Sequence, residues 1–167
     1  MQFIASTARR AAASAALIAI LGCGVVGAAE RTTPTHAVTR NLAQEEQNRT
    51  LVLDFSERVF NQHDLSTANT VLAPNYLQHN PRVPNGPAAF IKFFTEMFKQ
   101  YPESHSTIAR SAVDGELVYV HTHSTNDPQD RGLAIVNIFR VVNGKIVEHW
   151  DVIQPVPEQS VNGNTMF

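Results

Sequence analysis

The sequence predicts an α+β fold, a cone-shaped barrel in which three N-terminal helices pack on a curved, mainly antiparallel sheet. Three observations predict it. Apolar residues recur at helical spacing in the first half of the chain and at alternating positions after Tyr101-Pro102, so helices come first and strands follow. Two dipeptides with the chemistry of tight hairpins, Asp114-Gly115 and Asn143-Gly144, separate alternating segments. One segment carries Phe90, Ile91, Phe94, Met97 and Phe98 on a wide apolar face that needs a large, flat cover, which a sheet supplies.

The elements follow in order. Asn41 can cap a helix in which Val52, Phe55 and Val59, with Leu51 beside them, form one apolar face, and which ends between Asn61 and Asp64. A short helix from about Leu65 to Leu72 is stopped by Pro74, because a residue before proline is pushed out of helical geometry. Tyr76 to Asn80 reads as extended. Pro84-Asn85-Gly86-Pro87 is then a turn that places Pro87 at the first position of the Phe-rich helix. Four strands follow, at about His105 to Val113, Glu116 to Ser124, Leu133 to Val142 and Lys145 to Ile153. The two hairpin dipeptides imply sequential antiparallel pairing, and the longer, charged loop from Asn126 to Gly132 belongs at a rim.

At 167 residues the chain has the size of one domain, and 43% hydrophobic against 17% charged residues is globular composition. A formal net charge of −2, without any Lys/Arg run, speaks against nucleic acid or an anionic membrane as partner. Cys23 is the only cysteine and leaves the domain no internal disulfide.

Residues 1–29 read as an export signal: Arg9 and Arg10, an uncharged stretch from Ala11 to Val26, and small residues at Gly27-Ala28-Ala29. A periplasmic or secreted protein follows, with no membrane insertion of the mature domain. Processing at Ile20-Leu21-Gly22-Cys23, which would tether the protein through an acylated Cys23, is the second choice, and an uncleaved anchor is a further alternative. Residues 30–40 form a polar leader, 41–155 the folded domain and 156–167 a C-terminal tail.

Histidines carry most of the candidate chemistry. His121 and His123 are two apart on one strand, as are His149 and Asp151 on the last, so each pair leaves one face of its strand. Glu148 and Trp150 share the face of the last strand opposite Val147, His149, Asp151 and Ile153, and a glutamate is the least suited to a core, so His149 and Asp151, with Val147 on their face, are placed inside. By the same argument Arg140 puts Asn137 inside. Trp150 and its apolar neighbours would then form an outer patch whose cover is a second copy of the chain, a homodimer through the sheets. Polar pairs on a solvent face are equally compatible with either strand. His79, within Tyr76-Leu77-Gln78-His79-Asn80-Pro81, has the side-chain chemistry for proton transfer near neutrality. Asp151 is the preferred base, because an enclosed carboxylate can take a proton from carbon or return one to oxygen. A metal set is disfavoured, since neither H-x-x-x-H nor H-E-x-x-H occurs, and nucleophile, phosphate-loop and dinucleotide motifs are absent.

Five strings in order, Tyr-Leu-Gln-His-Asn-Pro (76 to 81), Pro-Asn-Gly (84 to 86), Val-His-Thr-His-Ser (120 to 124), Ala-Ile-Val-Asn-Ile-Phe-Arg (134 to 140) and Asn-Gly-Lys-Ile-Val-Glu-His-Trp-Asp-Val (143 to 152), give the chain a likeness to a known group. It resembles the SnoaL-like polyketide cyclases of the nuclear-transport-factor-two-like superfamily, in the branch described as predicted aldol-condensation enzymes. The resemblance implies the cone-shaped barrel, no cofactor and frequent dimerisation. It also implies an acidic general acid/base at Asp151 acting on a small apolar carbonyl ligand, assisted by His79, His121 and His149. Tyr76, Phe94, His123 and Asn137 would line the substrate site. Asn137 departs from the branch, which often has an aspartate there. The expected function is therefore a cofactor-independent lyase or isomerase-type enzyme, and the alternative is an exported binding module with the same pocket and no catalysis.

Overall fold

In the computed structural model, residues 39–167 are described; the expected export signal, Cys23 and most of the leader lie outside them. The order is α1 (Leu42–Phe60), α2 (Ser66–Val71), β1 (Leu72–Gln78), α3 (Pro87–Gln100), β2 (His105–Asp114), β3 (Leu117–Thr125), β4 (Leu133–Val142) and β5 (Lys145–Pro155). The five strands form one mixed sheet in the order β1-β5-β4-β3-β2. Consecutive strands from β2 to β5 pair antiparallel, and β1 joins β5 in parallel. The helices-then-meander architecture is the expected one. The sheet is open rather than closed into a barrel, with β1 and β2 as its two edges.

The Asn41 side chain accepts from the Gln44 N–H at 3.1 Å and starts α1. The buried side of α1 runs through Glu45, Asn48, Val52, Phe55 and Val59, at helical spacing. Its two ends are tied to β2 and to the turn that follows it. Glu45 Oε1 accepts from the Gly115 N–H and the Asn48 amide donates to the Gly115 carbonyl, while Asn61 exchanges two hydrogen bonds with the Ser106 backbone. Pro87 opens α3 as expected. Phe90 of α3 packs against Phe55 and Tyr76, and these rings with Val118, Val120, Phe139, Val141 and Ile146 make the core between helices and sheet.

Three local details depart from the sequence reading. Pro74 does not precede the extended segment but lies inside β1, which is tolerable because β1 is an edge strand and its pairing with β5 is interrupted between Leu72 and Leu77. The β2–β3 hairpin loop is Gly115-Glu116, one residue later than expected, with positive φ only at Gly115; Asn143 and Gly144 both have positive φ, as a type I′ turn demands. Between Arg140 and Val141 the β4–β5 ladder skips Val147, a bulge that reverses the face of everything before it on β5. Ile146, not Val147, therefore fills the floor of the core at 0% exposure.

Candidate functional site

Strand register aligns the helix-facing side chains in rows across the sheet. Ile108, Thr122, Ile135 and Ile153 form one row; Ser111, Val120, Asn137 and Asp151 the next; Val113, Val118, Phe139, His149 and Gln78 the third. Exposure falls along β5 on this face, from Ile153 at 38% through a half-buried Asp151 to His149 at 7%. Asp151 thus stands between a partly exposed, mainly isoleucine row and a buried polar floor.

The floor is one hydrogen-bonded cluster. His149 Nδ1 lies 2.8 Å from the Gln78 side-chain oxygen and Nε2 lies 3.1 Å from Asn137 Oδ1, while Asn137 Nδ2 donates to Thr122 Oγ1 at 3.3 Å. Gln78 Nε2 donates to the Tyr76 hydroxyl at 3.0 Å, and Gln78 Oε1 also accepts from the Asn80 backbone N–H at 3.0 Å. The Asn80 side chain, held in a turn by its bond from the Arg82 N–H, donates to Asp151 Oδ2 at 2.6 Å. Burial pushes His149 down to about 4, against the pull of the Asp151 charge, so the ring is neutral at physiological pH. Burial, then the Asp151 charge, pushes Tyr76 up, so its hydroxyl keeps its proton.

The family model for the SnoaL-like polyketide cyclases matches residues 50–158, which contain every residue of this cluster. The chain belongs to that family. Solved structures share the fold: TsrD of Streptomyces laurentii at 18% identity and TM-score 0.53, covering 65% of this chain and 88% of that one. A protein of Kribbella flavida, provisionally assigned as a ketosteroid isomerase, matches at 22% and 0.57, covering 70% and 84%. An NTF2-like protein of Mesorhizobium loti matches at 19% and 0.55, covering 66% and 93%. No curated protein matches the sequence.

In this SnoaL-like chain the four expected catalytic side chains do not converge. His149 and Asp151 share the inner face with Asn137 and Tyr76, and Phe94 lies in the aromatic cluster behind them, 4.5 Å from Phe90 between ring centroids. His79 sits at the end of β1, where its N–H bonds to the His149 carbonyl, but its ring turns to the other face. There it stacks on Trp150 at 4.7 Å and its Nε2 pairs with Glu148 Oε1 at 2.8 Å. Glu148 also accepts from Arg140, and these two partners hold its carboxyl below the usual carboxylate range.

His121 and His123 are likewise on the outer face, a correction with a simple cause. Val118, Val120 and Thr122 occupy the inward positions of β3, and the histidines alternate with them. His121 accepts from Arg110 at 3.1 Å, His123 donates to the Arg131 carbonyl at 2.8 Å, and Phe167 of the tail stacks on His123 with ring centroids 4.4 Å apart. Gln78, Asn80 and Thr122 are the site residues that the sequence reading did not single out. The alternation of Val118, Val120 and Thr122 was the available signal for Thr122. A broad hollow of about 690 Å³ between the start of α1 and the hairpin turns contains none of the cluster. Among the described residues, no three His, Cys, Asp or Glu side chains are grouped to hold a metal ion, and no helix is long and apolar enough to cross a membrane.

Proposed function

We propose that the protein is an acid/base enzyme that abstracts a proton next to the carbonyl of a small, largely apolar compound, as an aldol-type cyclase or isomerase does. The observation that carries this reading is Asp151: one half-buried carboxylate, oriented by Asn80, between the mainly isoleucine row and the neutral His149 cluster. Asp151 takes the proton from the α-carbon, the C–H electron pair moves into the enolate with its charge on oxygen, and Asp151 returns the proton after carbon attack or to a second carbon. The reading needs no group beyond the chain and its substrate.

The test is exchange of α-protons for deuterium in small cyclic ketones. The wild-type chain should catalyse it and Asp151→Asn should not, while unfolding at the same temperature. Exchange undiminished in Asp151→Asn would remove the mechanism.

A non-catalytic binding module is the second reading. It is favoured by the fact that, among the described residues, every fully buried side-chain polar atom already has at least one partner without a substrate. Ligand binding indifferent to Asp151→Asn, with no exchange, would select it.

The outer face supports a homodimer within the same proposal. Val136 and Val152 are paired neighbours there, 39% and 68% exposed, beside Leu77 and the Trp150 ring. Arg140 and Glu148 on that face give it both charges, which a two-fold self-contact can use.

A further inference from the structure

The direction of one side-chain amide decides what the site can offer a substrate oxygen, and the cluster fixes that direction. Gln78 Oε1 already accepts the Asn80 backbone N–H, so the Gln78 amide cannot be turned without setting two donors against each other. The His149 nitrogen that faces this oxygen, Nδ1, must therefore carry a hydrogen. A neutral imidazole has only one, which leaves Nε2 with a bare lone pair. The atom opposite Nε2 is Asn137 Oδ1 at 3.1 Å, which would set two acceptors against each other on a neutral ring, so a half-turn of the Asn137 amide that brings its nitrogen to Nε2 is the arrangement that satisfies that lone pair. In the turned amide Oδ1 takes the place of the Nδ2 that donates to Thr122 Oγ1 at 3.3 Å and accepts from the Thr122 hydroxyl instead, so every partner is matched.

We infer that Asn137, turned by Gln78 through His149, presents its second side-chain N–H to the space beside Asp151 and donates it to the oxygen of a bound carbonyl compound. Asn137 and Asp151 are direct cross-strand partners on the inner face, so a ligand whose α-carbon meets the carboxylate has its oxygen within reach of the amide. This rests on the acid/base reading above. It takes up the assisting role that the resemblance gave to His79 together with His121 and His149; the His79 ring lies on the other face. Asn137 is the catalytic donor, stabilising the enolate oxygen as charge develops there, and Gln78 and His149 are positioning residues. An aspartate at 137 would present acceptors to Nε2 and to the enolate alike, so the asparagine changes what this pocket can stabilise.

The decisive measurement is the long-range proton–nitrogen NMR correlation of the His149 ring in the nitrogen-15-labelled full chain at pH 7. The expected result is a proton on Nδ1 and a bare Nε2. A proton on Nε2, alone or together with one on Nδ1, overturns the inference, because Asn137 must then show its oxygen to the ring. In Gln78→Leu the preference for Nδ1 should be lost; an unchanged ring state there overturns the positioning role of Gln78. In the ketone-exchange assay Asn137→Asp should lower kcat about 100-fold with KM for cyclohexanone little changed, and a wild-type kcat overturns the donor role. Absence of exchange in the wild-type chain counts against the acid/base reading alone, because the ring state decides the direction of the amide without turnover.

Discussion

Gln78 Oε1 and His149 Nδ1 stand 2.8 Å apart at the junction of β1 and β5, the only parallel pairing in the sheet. That contact couples the edge strand to the floor of the site. β1 is held there by three further bonds: His79 N–H to the His149 carbonyl, Gln78 N–H to Asn85 Oδ1, and Gly86 N–H to the Tyr76 carbonyl. The Tyr76–Asn80 segment is therefore part of the site through its backbone as much as through its side chains.

Burial of neutral His149 makes stability depend on pH in a defined window. The ring binds its proton less readily in the folded chain, at about 4 against an ordinary 6.5, so the unfolded chain gains protons first as pH falls. Stability is complete above pH 6.5 and is lost progressively from there to about pH 4, by up to about 3 kcal/mol. The lowered carboxyls, Asp64 and Asp130 from 3.8 and Glu45, Glu46 and Glu148 from 4.5, act mainly below those ordinary values, beneath most of this window. Urea unfolding at pH 7 and pH 5 should show a smaller loss in His149→Gln than in the wild type. An equal loss would mean that His149 is not buried neutral.

Gly132 has φ of +79, and a Cβ there would overlap the Ser124 carbonyl oxygen and come within 2.7 Å of His123 Nε2. Gly132→Ala should cost about 1–3 kcal/mol, read by chemical denaturation, through both the left-handed backbone and the backbone contact, which cannot yield as a flexible side chain would.

His79→Ala should leave ketone exchange within about threefold of the wild type, because the ring faces Trp150 and Glu148, away from Asp151. A loss comparable to that of Asp151→Asn would return His79 to the reaction. The removed ring–ring stack should appear instead as a modest loss of stability, about 0.5–1.5 kcal/mol.

Val152→Asp introduces a charge at an outer position that is 68% exposed, so the monomer fold should tolerate it. Analytical ultracentrifugation should find the wild-type chain dimeric and this variant monomeric with an unchanged circular dichroism spectrum. A wild-type chain that sediments as a monomer would remove the dimer.

Much of the site can be read in the sequence where a local rule applies. Parity along β5 places His149 and Asp151 together, and Glu148 and Arg140 mark the outer face because a charged head group is costly to bury. The same rule would place Thr122 inside and His121 and His123 outside, but a pair of histidines draws attention whichever face it occupies. His79 and Val147 defeat local reasoning for another reason. His79 lies at a strand end, where alternation ceases to constrain the ring, and Val147 is a bulge, where alternation slips by one residue.

The sequence by itself determined the order of elements, the pairing of β2 to β5, the aromatic helix and the inward placement of Asn137, His149 and Asp151. Those features follow from periods of 3.6 and 2 and from turn chemistry, which are properties of neighbouring residues. Tertiary structure alone decided that β1 joins β5 in parallel, that the sheet stays open, and that Gln78, His149, Asn137 and Thr122 form one chain of hydrogen bonds. Gln78 and His149 are 71 positions apart, and no local pattern encodes which donor meets which acceptor across that separation. Only the packing of the edge strand against β5 brings them within reach, and the number of hydrogens on one imidazole then settles the direction of the amide beyond it.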